Sequence, residues 1–121
     1  MEDMKLGLVE ARFADIIWEN EPLTTKALVE RCQKELNWKR TTTYTVLKKL
    51  CERGIFTAKD SVITSLISKN QFHAIRSEAF IEENFQGSLP AFMAAFTSRA
   101  SLTPQEVAEI RKLIDAYGEE K

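Results

Sequence analysis

The chain has 121 residues, 44% hydrophobic and 29% charged, with a formal net charge of −1 at pH 7. This is the composition of one globular domain, or of a small domain with a helical appendage. It excludes a membrane-spanning helix, since no apolar run nears the roughly 20 residues a bilayer needs, and it excludes attraction to nucleic acid through bulk charge alone.

The chain starts with Met1-Glu2-Asp3-Met4, which is acidic and has neither the basic nor the apolar region of a signal peptide. A cytoplasmic location is expected. A first helix is predicted over 8–20, where Val9, Phe13, Ile16 and Ile17 recur at helical spacing; Pro22 stops it. A second begins at Thr24 or Thr25, either of which can cap it, and carries Leu28, Cys32 and Leu36 on one face. After Asn37-Trp38-Lys39 a third helix covers about 40–53, with Thr43, Val46, Leu47 and Leu50 facing inward and Gly54 ending it. Cys32 and Cys51 fall in these helices; two cysteines make no disulfide framework and are expected to be reduced.

Ile55-Phe56-Thr57 and the run 62–67 are β-branched or apolar, separated by Ala58-Lys59-Asp60-Ser61, and predict a β-hairpin. Three helices follow. The fourth, 69–85, carries Phe72, Ile75, Ala79 and Phe80, and Gly87 follows its end; the fifth, 88–98, carries Leu89, Phe92, Met93 and Phe96. The sixth opens on a capping box, Thr103-Pro104-Gln105-Glu106, and spaces Val107, Ile110, Ile114 and Tyr117 as in a coiled-coil seam, with Gly118 closing it. The expected fold is therefore mainly α with a small β-hairpin: a winged helix-turn-helix over 1–67, then a three-helix dimerisation region over 68–121.

Helix three carries the chemistry. Its start, Arg40-Thr41-Thr42-Thr43-Tyr44-Thr45, is rich in threonine, a mediocre helix former. Threonine hydroxyls suit phosphates and base edges, and their methyls suit thymine methyls. By phase Thr43 points inward, which leaves Thr41, Thr42, Tyr44 and Thr45 toward a major groove. Between Lys39 and Lys59 there are six cations and a single carboxylate, Glu52, in an otherwise acidic chain. Such a confined basic stretch is the footprint of a DNA contact. Lys48 and Lys49 are placed for the phosphate backbone, and Lys59 is the one cation the wing offers.

The last three helices hold more apolar surface than they can bury alone. Phe72, Ile75, Phe80, Leu89, Phe92, Met93, Phe96, Val107, Ile110, Ile114 and Tyr117 are expected at a twofold dimer interface. Catalysis finds no foothold: one histidine, His73, has no partner set, and the chain lacks a phosphate loop, HExxH and CxxC. No cofactor and no metal site are expected. The competing class is a winged-helix protein-interaction module without DNA binding.

Four stretches carry a resemblance: Glu10 through Trp18, Trp38 through Leu50 with Gly54, Phe85-Gln86-Gly87-Ser88-Leu89, and Leu102 through Asp115. In these the chain resembles the penicillinase-repressor family of the BlaI/MecI/CopY type over nearly its whole length. The resemblance implies a dimeric repressor whose third helix reads a palindromic operator and whose C-terminal helices interlock. It also implies a membrane sensor-protease system as a partner. In the β-lactam branch repression ends by cleavage of an Asn-Phe bond in the fifth helix; the matching pair here is Ala95-Phe96, with alanine in place of asparagine. Copper-responsive members carry C-terminal Cys-x-Cys motifs, and this chain has no cysteine after Cys51.

Overall fold

The computed structural model describes residues 5–119; Met1-Glu2-Asp3-Met4 and residues 120–121, with what was expected of them, lie outside the described residues. The element order is α1 (Leu8–Asn20), β1 (Leu23–Thr24), α2 (Thr25–Leu36), α3 (Arg40–Glu52), β2 (Phe56–Lys59), β3 (Val62–Ser65), α4 (Lys69–Phe85), α5 (Leu89–Arg99) and α6 (Pro104–Glu119). The described chain forms two compact units that divide after Glu78, within α4.

In the first unit α1, α2 and α3 close over an antiparallel sheet of order β1-β3-β2. Phe13 and Ile17 of α1, Leu28 and Cys32 of α2, Leu47 and Leu50 of α3, and Ile55, Phe56 and Ile63 of the sheet region make one buried cluster. Each such side chain contributes about 1.5–3 kcal/mol by leaving water. Thr24 caps α2, its hydroxyl accepting from the Ala27 N–H at 3.0 Å. Asn37, left-handed at φ 58°, ends α2, and its own N–H donates to the Cys32 carbonyl.

The hairpin is tighter than the sequence predicts. Ala58 and Lys59 belong to β2, so the turn is Asp60-Ser61 alone, both residues left-handed at φ 53° and 63°. This is the backbone a two-residue hairpin needs to match strand twist. At the other end β3 stops at Ser65, whose N–H and hydroxyl both donate to the Glu21 carboxylate at 2.8 Å. Leu66 and Ile67 lie beyond β3, and both of their N–H groups donate to the Ile55 carbonyl. The strand β1 is a finding: Leu23 and Thr24 pair with Ile63 and Val62.

The boundary expected between 67 and 68 falls at the start of α4, yet the first turns of α4 belong to the first unit. Trp18 explains why. Its indole N–H donates to the Ile67 carbonyl at 3.1 Å, and its ring lies between Phe56 and Phe72 at centroid distances of 5.4 and 5.5 Å. Lys69 adds an ion pair to Asp15 of α1 at 2.9 Å. Phe72, expected at a dimer surface, is therefore a core residue of the first unit, 6% exposed.

The second unit comprises the end of α4 with α5 and α6. Phe85, Phe80, Phe92 and Phe96 form a chain of ring contacts, with Phe92 5.7 to 6.1 Å from each of the other three. Ser88 caps α5 by accepting from the Ala91 N–H. The expected capping box opens α6: the Thr103 hydroxyl accepts from the Glu106 N–H at 3.0 Å, and the Glu106 carboxylate accepts from the Thr103 N–H at 2.8 Å. Gly118 does not close α6; the helix continues to Glu119. No described residue of this unit is buried. Leu89 is 58% exposed and Ile114 63%.

Candidate nucleic-acid interface

The inner face of α3 is set by Thr43, Leu47 and Leu50, all buried. Threonine is tolerated there because its hydroxyl donates to the Lys39 carbonyl at 3.3 Å, leaving no polar atom unpaired. At 100° per residue, the side directly opposite presents Thr41, Thr45 and Lys48. Tyr44 flanks this strip toward the sheet, and Thr42 and Lys49 flank it toward α1. All six are exposed, as are Lys39, Arg40 and Lys59.

These residues differ in what they have to offer. The Thr45 hydroxyl donates to the Thr41 carbonyl one turn back, at 2.9 Å, which leaves its methyl and an oxygen lone pair for a ligand. The Arg40 guanidinium lies 5.6 Å from the Tyr44 ring centroid. The Thr25 hydroxyl beside the phenol, and then Arg40, hold Tyr44 below the ordinary range of a phenol. Lys48 lines a groove between α3, the start of α2 and β2.

Lys49 departs from the expectation that it faces a phosphate backbone. Its Nζ sits 2.7 Å from the Glu10 carboxylate of α1. That bond, opposed by partial burial and helped by the Gly7 N–H, lowers the Glu10 carboxyl below its usual range. The charge of Lys49 thus meets a carboxylate within the chain. Periodicity could not show this, because Glu10 is 39 residues away. Arg53 is likewise turned inward, donating to the Lys5 carbonyl at 2.8 Å.

The remaining expected residues are elsewhere. Ile75, Phe80, Leu89, Phe92, Met93, Phe96, Val107, Ile110, Ile114 and Tyr117 are half-buried or exposed on α4, α5 and α6. Ala95 and Phe96 lie within α5, both exposed. His73 is exposed beside the Phe72 ring. Among the described residues no group of three or more His, Cys, Asp or Glu could hold a metal ion. Cys32 and Cys51 are free thiols, and burial pushes Cys32 up to about 11. Sequence reasoning missed Thr25 and Glu10, for neither of which a local pattern gives a signal.

Three helices over a three-stranded antiparallel sheet, with the outer face of the third helix exposed and cationic, define the winged helix-turn-helix class. The sequence matches the family described as penicillinase repressor over residues 6–116, and the chain belongs to that family. It is similar to a penicillinase repressor from Bacillus licheniformis, 20% identical over 116 residues that cover 93% of this chain and 91% of that one. The family is one of transcriptional repressors. Among the described residues no helix is long and apolar enough to cross a membrane.

Proposed function

We propose that this chain is a homodimeric repressor that binds a palindromic operator in double-stranded DNA, with α3 in the major groove of each half-site. The carrying observation is the division of α3 into a buried face and an exposed face of hydroxyls and cations. Arg40, Thr41, Thr42 and Thr45 lie toward base edges; Lys39, Lys48 and Lys59 lie toward phosphates. Phosphate contacts supply affinity and register, while base contacts supply sequence. The uncovered apolar surface of α5 and α6 favours a twofold pair, whose two readers span half-sites roughly 10 bp apart. A β-lactam-resistance type of operon is the target the family suggests.

Release follows the family's route in this reading. A membrane sensor-protease system leads to cleavage at Ala95-Phe96, which parts Phe96 from Phe92 and breaks the ring cluster that the dimer covers.

The test is a titration of the chain against duplexes selected from random-sequence DNA, at two salt concentrations. Affinity is expected to fall steeply with salt. Thr42→Ala is expected to change base preference, and Lys48→Ala to weaken all sequences alike. Absence of binding to any duplex would leave the protein-interaction module as the better account.

A further inference from the structure

The start of α3 departs from the pattern of the other helices. Near the starts of α1, α2, α4, α5 and α6, a side-chain oxygen of Glu10, Thr24, Ser68, Ser88 and Thr103 respectively accepts from a backbone N–H. Lys39, at the N-cap of α3, makes no such bond, and the first turn of α3 holds no carboxylate. Two cations, Lys39 and Arg40, stand instead at the positive end of the helix dipole, where positive charge is disfavoured. Helix stability does not account for that choice, and side chains that break local rules mark functional positions. The N-terminal residues of a recognition helix are also those that meet base edges. Arg40 is exposed, and among the described residues the ion pairs are made by Arg31, Lys49 and Lys69, not by Arg40. Its guanidinium lies over the Tyr44 ring, 5.6 Å from the centroid, within the range of a cation–π contact. Helix geometry explains the pairing: side chains lean toward the N-terminus, so a ring at i+4 reaches back over residue i. An aromatic ring attracts the cation without supplying a lone pair for its five N–H donors, whereas a carboxylate would take two of them.

We propose that Tyr44 is a positioning residue for Arg40: its ring holds the guanidinium at the start of α3, so that two N–H groups of Arg40 meet the O6 and N7 of one guanine in each half-site. The inference rests on α3 being the DNA-facing helix. Arginine is the side chain suited to this base, because its planar fork matches two acceptors at once. A long side chain must lose much rotamer freedom to do so, and a ring that restricts it before DNA arrives removes part of that cost. Tyr44 thus has a different task from its threonine neighbours. It acts through Arg40 and leaves the other base edges to Thr41, Thr42 and Thr45.

The experiment compares Arg40→Ala, Tyr44→Leu and Tyr44→Phe in the full chain, with Lys48→Ala as the reference for phosphate contact. The probes are a duplex selected from random-sequence DNA by the unaltered protein and copies of it changed at one base pair at a time. Arg40→Ala is expected to abolish a roughly five- to hundred-fold preference for G·C at one position of each half-site. Tyr44→Leu is expected to reduce that preference about two- to five-fold, at that position alone. Tyr44→Phe keeps the ring and is expected to retain the preference. In the Arg40→Ala background, Tyr44→Leu is expected to change nothing further there. Lost packing would weaken binding to every duplex alike and would leave this ratio unmoved. If Tyr44→Leu leaves the preference intact, or Tyr44→Phe loses as much as Tyr44→Leu, the positioning role is refuted. If Arg40→Ala keeps every base preference while Lys48→Ala weakens binding, Arg40 reads no base: the inference falls and the DNA reading stands. If the unaltered protein binds no duplex, the DNA reading falls and the inference with it.

Discussion

Phe13, Phe56 and Ile63 of the first unit lie wholly out of solvent, whereas Phe80, Phe96 and Ile114 of the second lie against it. The residue types are the same; what differs is whether a second layer covers them. In the first unit a sheet and three helices close on one another, and an apolar stripe on any helix finds a facing element. The second offers only helical segments, and each ring touches other rings while keeping one side open. An apolar face is thus a complete core in one region and half of one in the other. Sequence periodicity shows that a face is apolar without showing which of these it is.

The sharpest way to break this comparison is to cut into the closed core. Phe56→Ala is expected to cost about 3–5 kcal/mol, enough to unfold the first unit of a marginally stable protein; chemical denaturation followed by circular dichroism measures it. An unaltered midpoint would mean that the core does not depend on the sheet. Next comes the open cluster. Phe92→Asp places a charge among apolar rings at a cost of several kcal/mol and is expected to halve the mass seen by sedimentation while the first unit stays folded. A mass that does not change would show that the rings are not held against a partner. Smaller still is Lys48→Ala, expected to reduce the slope of log affinity against log salt by about one, read by fluorescence anisotropy.

The smallest effect concerns the Glu10–Lys49 pair. Glu10 holds its proton less tightly folded than unfolded, so its contribution is present above the ordinary value of 4.5 and is lost as pH falls through the lowered one. Both groups are partly exposed, so the amount is at most about 1 kcal/mol. Lys49→Met is expected to flatten stability against pH in that acid window and to leave DNA affinity nearly unchanged, whereas Lys48→Ala does the reverse. Equal losses of affinity from both lysines would return Lys49 to the interface.

These distinctions mark how far the sequence is legible. All six helices follow from apolar spacing and caps, and the outward strip of α3 follows from phase once Thr43 is turned inward. The rest depends on contacts between distant segments. A two-residue strand such as Leu23–Thr24 has no period to detect. The turn Asp60-Ser61 lacks the glycine that usually marks left-handed backbone. Phe72 and Phe80 lie on one helix and share a spacing pattern, but Phe72 meets Trp18 while Phe80 meets Phe92. Lys48 and Lys49 are adjacent and identical in type, and only the placement of Glu10 separates them.

Trp18 and Trp38, the chain's two indoles, both sit in the first unit, one between Phe56 and Phe72 and the other stacked on Phe13 at 5.4 Å. Emission excited at the red edge of aromatic absorption therefore monitors the winged region alone, with no label attached. Far-ultraviolet ellipticity sums helices from both halves. A melt recorded by the two signals together separates loss of the winged unit from loss of the trailing helices: coincident curves mean one cooperative event, and divergent curves mean two.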